Sequence, residues 1–120
     1  MQGRVTTPWG VSNGAGEQIA PGIVWYDTAG HGGFHLSPER HAAVKQRFPD
    51  FTTFGGDGPW YEEDCDWAVV VFTFPEQFDA KTRTRAWEVA RITAAFPSDK
   101  WQQVLDRLGK TWQAAETCVS

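Results

Sequence analysis

The sequence predicts an α+β fold, in which a small N-terminal antiparallel β-sheet packs against three to four helices. Residues 1–37 are rich in glycine, proline, threonine and aromatic residues, which is typical of short strands joined by turns. The rest of the chain carries apolar residues at helical spacing between signals that begin and end helices. The sequence shows no repeat, low-complexity tract or linker, so residues 1–120 are expected to form one domain.

Three segments of the N-terminal third are expected to be strands, namely residues 8–12, 22–26 and 33–36. The last two are separated by TAGHGG, in which three glycines surround His31. We interpret this as a glycine-dependent turn between two strands. In an alternative interpretation, His31, Gly32, Gly33 and His35 form a nest, a concave run of backbone N–H groups that holds a carboxylate or phosphate.

The first helix is expected to begin at Ser37-Pro38-Glu39 and to run to about Arg47, where Pro49 stops it. Serine is a favoured N-cap, proline at the first helical position loses no hydrogen bond, and an acid complements the helix dipole.

Two further helices are expected in the C-terminal half. The first begins at the cap Asp79 and ends before Pro97, and the second begins at Ser98-Asp99. Gly109 either ends the second of these helices or lies inside it. The second helix has a clear apolar stripe made of Trp101, Val104, Leu105 and Leu108.

Residues 60–74 are ambiguous between strand and helix. Their β-branched and aromatic residues favour a buried strand, yet Trp67, Val70, Val71 and Phe74 have helical spacing behind an acidic first turn. The spacing predicts a helix.

The acidic stretch before that apolar run is the predicted partner-binding site. A carboxylate cluster with aromatic neighbours is suited to a basic groove on another protein. One alternative is that the acids complement a helix dipole, and another is that one of them docks on His31 or the nest as a structural latch. The predicted partner-binding residues are Trp60, Tyr61, Glu62, Glu63, Asp64 and Asp66.

Composition excludes several classes of function. A formal net charge of -4 and a pI of about 5.2 argue against direct nucleic-acid binding by the whole molecule. No apolar run is long enough to span a membrane, and the N-terminal MQGRVTTPWG lacks the apolar core of a signal peptide. With two distant cysteines, Cys65 and Cys118, we expect free thiols in the cytoplasm.

We assign no catalytic residue, metal or cofactor from the sequence. Residues 10–14 match GxSxG, but the HGG tripeptide follows this serine, whereas the oxyanion motif of lipase-like hydrolases precedes it. His31 and His35 are four residues apart, and the glycines between them oppose the helix that would bring them together.

Two rival functions remain open. A metal-assisted or acid/base hydrolase would use His31 and His35 with Glu62 or Asp64, and a stoichiometric transition metal in the purified protein would reveal the metal-assisted form. A nucleic-acid-contacting maintenance factor would use the basic stretch of Lys81, Arg83, Arg85 and Arg91.

Three stretches of the chain carry a family resemblance. They are TPWG near the start, APGIVWYDTAGHGGFHLSPER, and GPWYEEDCDWAVVVFTFPEQF, and together they span about residues 6–78. The HGGF and WYEEDC motifs resemble an uncharacterised family of domains of unknown function found in phage, plasmid and mobile-element proteins. The resemblance implies a mobile-element accessory protein.

From the residues and the resemblance together, we expect a non-enzymatic binding protein of a phage or mobile element. Its expected partner is a host protein complex such as a CRISPR or restriction effector, which it would inhibit in the host cytoplasm as an anti-CRISPR or antirestriction protein. Its carboxylates would then mimic phosphates locally.

Overall fold

The computed structural model describes residues 4–53, 58–95 and 99–119, with side chains described as far as residue 109. A hairpin of β1 (Thr6–Thr7) and β2 (Gly10–Val11) comes first. An antiparallel sheet follows, with β3 (Glu17–Ala20), β4 (Ile23–Asp27), β5 (Gly32–Leu36) and β6 (Trp60–Glu62) as neighbours in that order. The helices are α1 (Pro38–Arg47), α2 (Trp67–Thr73), α3 (Ala80–Ala95) and α4 (Asp99–Val119), with a 3-10 turn at Pro75–Gln77. The predicted α+β fold is confirmed.

Strand β6 joins the HGGF and WYEEDC motifs in one sheet. It pairs with β5 so that Gly33 lies opposite Glu62, and His35 lies opposite Trp60. Strand β5 also pairs with β4, so Gly32, Gly33 and Phe34 of the HGGF motif lie in an interior strand, and His31 lies just before it. The turn between β4 and β5 is confined to residues 28–31, where the Thr28 N–H donates to the His31 carbonyl at 2.6 Å.

The predicted turn between the two strands is therefore confirmed, but it does not extend over Gly32 and Gly33, because both lie in β5. The nest interpretation does not fit the backbone of these two glycines. A nest needs backbone that alternates between right- and left-handed conformations. The described glycines with positive φ are Gly10, Gly16, Gly22 and Gly109, and neither Gly32 nor Gly33 is among them.

The sheet has a core face and an outer face, because successive strand residues point to opposite sides. Phe34, Leu36 and Tyr61 lie on the core face, which packs against α1 and α2, and each is at most 5% exposed. Residues of the opposite, outer face are only half-buried. They are Val24 and Tyr26 of β4, His35 of β5 and Trp60 of β6.

The apolar run WAVVVFT forms helix α2, which confirms the helical prediction for residues 67–73. Residues 68–72 are all at most 1% exposed, so this helix is apolar on every side and lies inside the core. The prediction that residues 60–66 form the first turn of the same helix is wrong. Residues 60–62 are strand β6, and Asp66 is the residue before the helix begins.

The predicted starts of the other helices are confirmed where the structure describes them. The Ser37 hydroxyl accepts a hydrogen bond from the Arg40 N–H at 3.2 Å, and the Asp79 carboxylate accepts one from the Thr82 N–H at 2.8 Å. Gly109 lies inside α4 at a kink, with φ 50°. Pro97 and Ser98 lie outside the described residues. Within the described ranges, no helix combines the length and apolar character of a membrane span.

Candidate functional site

A cavity of about 520 Å³ opens beside the end of β6, with residues of α4 on one side. We call it the acidic cleft, because three of its lining side chains are carboxylic acids. Its lining comes from four separate parts of the chain: Trp9, His31, Glu62, Asp64, Cys65, Asp66, Lys100 and Trp101.

Glu62 and Asp64 form the acidic wall of this cleft. Burial, with a smaller contribution from the hydrogen bond and negative charge of Asp64, raises the pKa of Glu62 to about 7. The ion pairs in the described part of the chain join other residues, so no basic side chain there balances either group. Lys100 in the same cleft pairs with Asp66, so Glu62 and Asp64 are left without an ion-pair partner among the described residues.

Asp66 lines the same cleft but is a structural residue. It is 2% exposed, and its Oδ1 lies 4.0 Å from Lys100 Nζ. Lys100 Nζ also donates to the Thr52 carbonyl at 2.6 Å, so this lysine connects α4 to both segments. The prediction that Asp66 is part of an exposed partner-binding surface therefore does not fit its burial.

Tyr61 is also placed away from any surface. It is 1% exposed on the core face, and its hydroxyl lies 2.7 Å from His41 Nδ1 in α1. A side chain in this position cannot anchor a partner without unfolding the sheet. The prediction of Tyr61 as a partner-binding residue is therefore wrong, because strand alternation turns it inward while Trp60 and Glu62 turn outward.

Glu63 points away from the acidic cleft, toward a second cavity of about 470 Å³ that Trp25, Trp67 and Arg85 also line. Its Oε2 lies 3.8 Å from His31 Nδ1, and the two side chains are 40% and 55% exposed. An ion pair this exposed contributes about 0–1 kcal/mol. A backbone hydrogen bond connects the HGGF and WYEEDC motifs more firmly than this ion pair, because the Glu63 N–H donates to the Gly32 carbonyl at 2.9 Å.

The two histidines of the hydrolase hypothesis lie in different surroundings. His31 lines the acidic cleft, whereas His35 packs on the Trp60 ring with centroids 4.5 Å apart, and burial lowers its pKa. Between them, a Cβ on Gly33 would overlap the Trp9 ring, so this ring covers the intervening strand position. Across the described ranges, no three His, Cys, Asp or Glu side chains are grouped to hold a metal ion.

The GxSxG match has a structural explanation. The buried Ser12 hydroxyl accepts a hydrogen bond from the Val5 N–H at 2.8 Å and donates to the Gly14 carbonyl at 2.5 Å. These contacts hold residues 12–14 beside the β1–β2 hairpin. The Ser12 hydroxyl therefore has a structural role.

The basic stretch of α3 does not form one surface. Arg83 is half-buried and donates to the Phe78 carbonyl at 2.6 Å, whereas Arg85 lines the second cavity near Glu63. Lys81 and Arg91 are exposed, and they are ten residues apart on a helix.

Sequence reasoning missed Trp9, Cys65, Lys100 and Trp101 as residues of the site. In the sequence, Trp9 is noticeable only as part of the TPWG motif, and Trp101 only as part of the apolar stripe of α4. No local signal connects Lys100 to Asp66, since the two are far apart in sequence.

Comparison with known proteins identifies one family. The family model described as a domain of unknown function (DUF7007) matches residues 2–118. Neither the curated proteins nor the solved structures compared with the chain include a match.

Proposed function

The chain belongs to the DUF7007 family of domains of unknown function, so its function has to be inferred from its own structure. We propose that it is a non-enzymatic binding protein whose acidic cleft receives a basic side chain of a protein partner. Glu62 and Asp64 would accept hydrogen bonds from the bound cation, and Trp9 would pack against it.

The observation that carries this proposal is the pair of neighbouring acids Glu62 and Asp64, for which the described residues supply no ion-pair partner. Burial, and after it the hydrogen bond and negative charge of Asp64, raise the pKa of Glu62 to about 7, so this pair of carboxyl groups holds its full negative charge poorly. A guanidinium or ammonium group would relieve the repulsion between the two carboxylates and form charge-assisted hydrogen bonds with both of them. Trp9 lines the same cavity, where its ring would make a cation–π contact with the bound group.

The partner class follows from the family resemblance of the HGGF and WYEEDC motifs. We propose that the chain acts in the host cell for a phage or mobile element, and that its partner is a host defence complex such as a CRISPR or restriction effector. Such complexes hold nucleic acid in basic channels. Carboxylates that occupy phosphate positions would block a channel of this kind without DNA mimicry by the whole molecule.

Affinity capture from host lysate with quantitative mass spectrometry tests this function. The bait is compared with the double variant Glu62→Gln/Asp64→Asn, and with Glu76→Gln/Glu88→Gln, which removes the same number of carboxyl groups from exposed positions outside the cleft. We expect one partner that the wild type and the control retain and the cleft variant loses. A partner retained equally by all three baits would contradict the cleft as its binding site.

The rival functions have weaker geometric support. His31 and His35 do not line one cavity, and the four basic residues of α3 do not share one face. We therefore propose neither a metal-assisted hydrolase nor a nucleic-acid-contacting factor.

A further inference from the structure

The outer face of the sheet carries a group of aromatic rings set at steep angles to one another. Trp60 lies at its centre, with ring centroids 5.7 Å from Trp9 at 86°, 5.7 Å from Tyr26 at 54° and 4.5 Å from His35 at 57°. We call these four residues the aromatic face. All four residues are half-buried and their rings pack against Trp60, so the face is a partly exposed group of rings that hold one another in place.

We propose that the aromatic face binds a proline-rich segment of the partner in the polyproline II conformation. This inference rests on the proposed function in one respect, namely that the partner is a protein, and it adds the chemistry of the segment that is recognised.

The hydrogen-bonding character of the face supports this choice. Within the described part of the chain, nothing accepts a hydrogen bond from the indole N–H of Trp9, the indole N–H of Trp60 or the hydroxyl of Tyr26. Tryptophan and tyrosine are enriched at protein interfaces because they combine an apolar ring with a hydrogen-bond donor of this kind. The aromatic face therefore offers donors together with apolar area.

A polyproline II segment has the complementary character. Its backbone makes no internal hydrogen bonds, and proline carries a carbonyl acceptor but no N–H donor. Pyrrolidine rings fill slots between aromatic side chains, and the segment loses little entropy on binding because it is already extended. A donor-rich aromatic surface thus matches an acceptor-only ligand.

Charge distinguishes this occupant from nucleic acid. Glu62 borders the aromatic face, since it lies opposite Gly33 on the same side of the sheet, and it also lines the acidic cleft with Asp64. These carboxyl groups would repel a phosphate backbone. They would instead attract a basic residue next to the prolines, which connects the aromatic face with the cleft.

Two-dimensional 15N–1H spectra of the labelled protein test the inference, because the seven tryptophans give separate indole signals. The probe is a synthetic peptide of Pro-x-x-Pro repeats that ends in arginine, and the comparison peptide has alanine in place of every proline. We expect the proline peptide to shift the Trp9 and Trp60 signals saturably and to leave those of Trp67 and Trp87 in place. The alanine peptide should bind at least about tenfold more weakly, which corresponds to about 1.4 kcal/mol.

Two variants and one control locate the binding. Trp60→Leu should weaken the peptide at least about tenfold. Tyr26→Phe, which keeps the ring and removes the donor, should weaken it about two- to tenfold. Ile92→Ala, at an exposed position of α3, should bind as the wild type does.

Several results would overturn the inference: no shift with the proline peptide, equal affinity for the alanine peptide, or shifts confined to Trp67 and Trp87. Saturable binding of an oligonucleotide or a glucan oligomer at Trp9 and Trp60, with none of the peptide, would also overturn it. Failure here with capture still dependent on Glu62 and Asp64 leaves the proposed function in place. Peptide binding with capture independent of those two residues would instead remove the acidic cleft from the account.

Discussion

The Tyr61 hydroxyl lies 2.7 Å from His41 Nδ1, which joins strand β6 to helix α1 across the core. This contact fixes the register of a three-residue strand. A shift of one residue would turn Tyr61 outward and carry Trp60 and Glu62 into the core. The positions of the aromatic face and the acidic cleft therefore depend on a buried residue that belongs to neither.

Tyr61→Ala is expected to lower the free energy of unfolding by about 3–5 kcal/mol, because it empties a fully buried site. Tyr61→Phe keeps the ring and should cost about 1 kcal/mol, for the lost hydrogen bond. Denaturant unfolding of the two variants measures both values. A Tyr61→Ala protein of unchanged stability that fails to bind its partner would show that the tyrosine is an exposed anchor after all.

Gly33→Ala is expected to destabilise the protein by about 1–3 kcal/mol through overpacking. The added Cβ would lie 2.5 Å from the Tyr61 carbonyl oxygen and would overlap the Trp9 ring, so lack of space, and not backbone conformation, requires glycine here. Gly30→Ala is the matched control, since a Cβ there meets nothing within 4 Å. Equal melting temperatures for the two variants would contradict the finding that Trp9 and β6 both lie close to Gly33.

Asp66→Ala is expected to cost about 1–3 kcal/mol, since it removes a buried charged acceptor beside Lys100. The exposed pair of Asp50 and Arg107, with atoms 3.9 Å apart, provides a comparison within the same chain. Asp50→Ala should cost no more than about 1 kcal/mol. Thermal unfolding of both variants decides the point, and a smaller loss for Asp66→Ala than for Asp50→Ala would show that Asp66 is not structural.

Glu62 should make stability depend on pH. Its carboxyl group has a pKa near 4.5 in the unfolded chain and about 7 in the folded protein, so the folded state binds more protons between these values. Stability therefore falls as the pH rises from about 4.5 to about 7, and this group contributes no further change above that range. Glu62→Gln should remove this decline in melting temperature, whereas the exposed control Glu88→Gln should keep it. An unaltered pH profile for Glu62→Gln would show that the folded and unfolded pKa values are alike.

The helices were largely predictable because their signals are local. Ser37-Pro38, Asp79 and the stripe of α4 each act within a few residues, and each was read correctly where the structure describes it. The apolar run of α2 was harder, since β-branched residues favour strands, and burial on all sides overrode that preference.

Strand β6 was not predicted, because three residues are too few to show alternation and the acids after them resemble a first helical turn. Strand β3 was also missed, since Glu17 and Gln18 at its start are exposed and give no apolar pattern. The acidic cleft combines residues that are neighbours in the sequence with residues that are distant in it. Its acids are local in sequence, but Trp9 and Lys100 join them only through the tertiary fold.

The most direct test of the account is the rate of association between the protein and its captured partner, measured at several salt concentrations. Three proteins are compared at a pH well above 7, where Glu62 is ionised: the wild type, Glu62→Gln/Asp64→Asn, and the charge-matched control Glu76→Gln/Glu88→Gln. The account predicts that only the cleft variant associates more slowly and with a weaker salt dependence, at a melting temperature no lower than that of the wild type. Equal rates and equal salt dependence for the cleft variant and the control would contradict the claim that the acidic cleft recognises a basic partner.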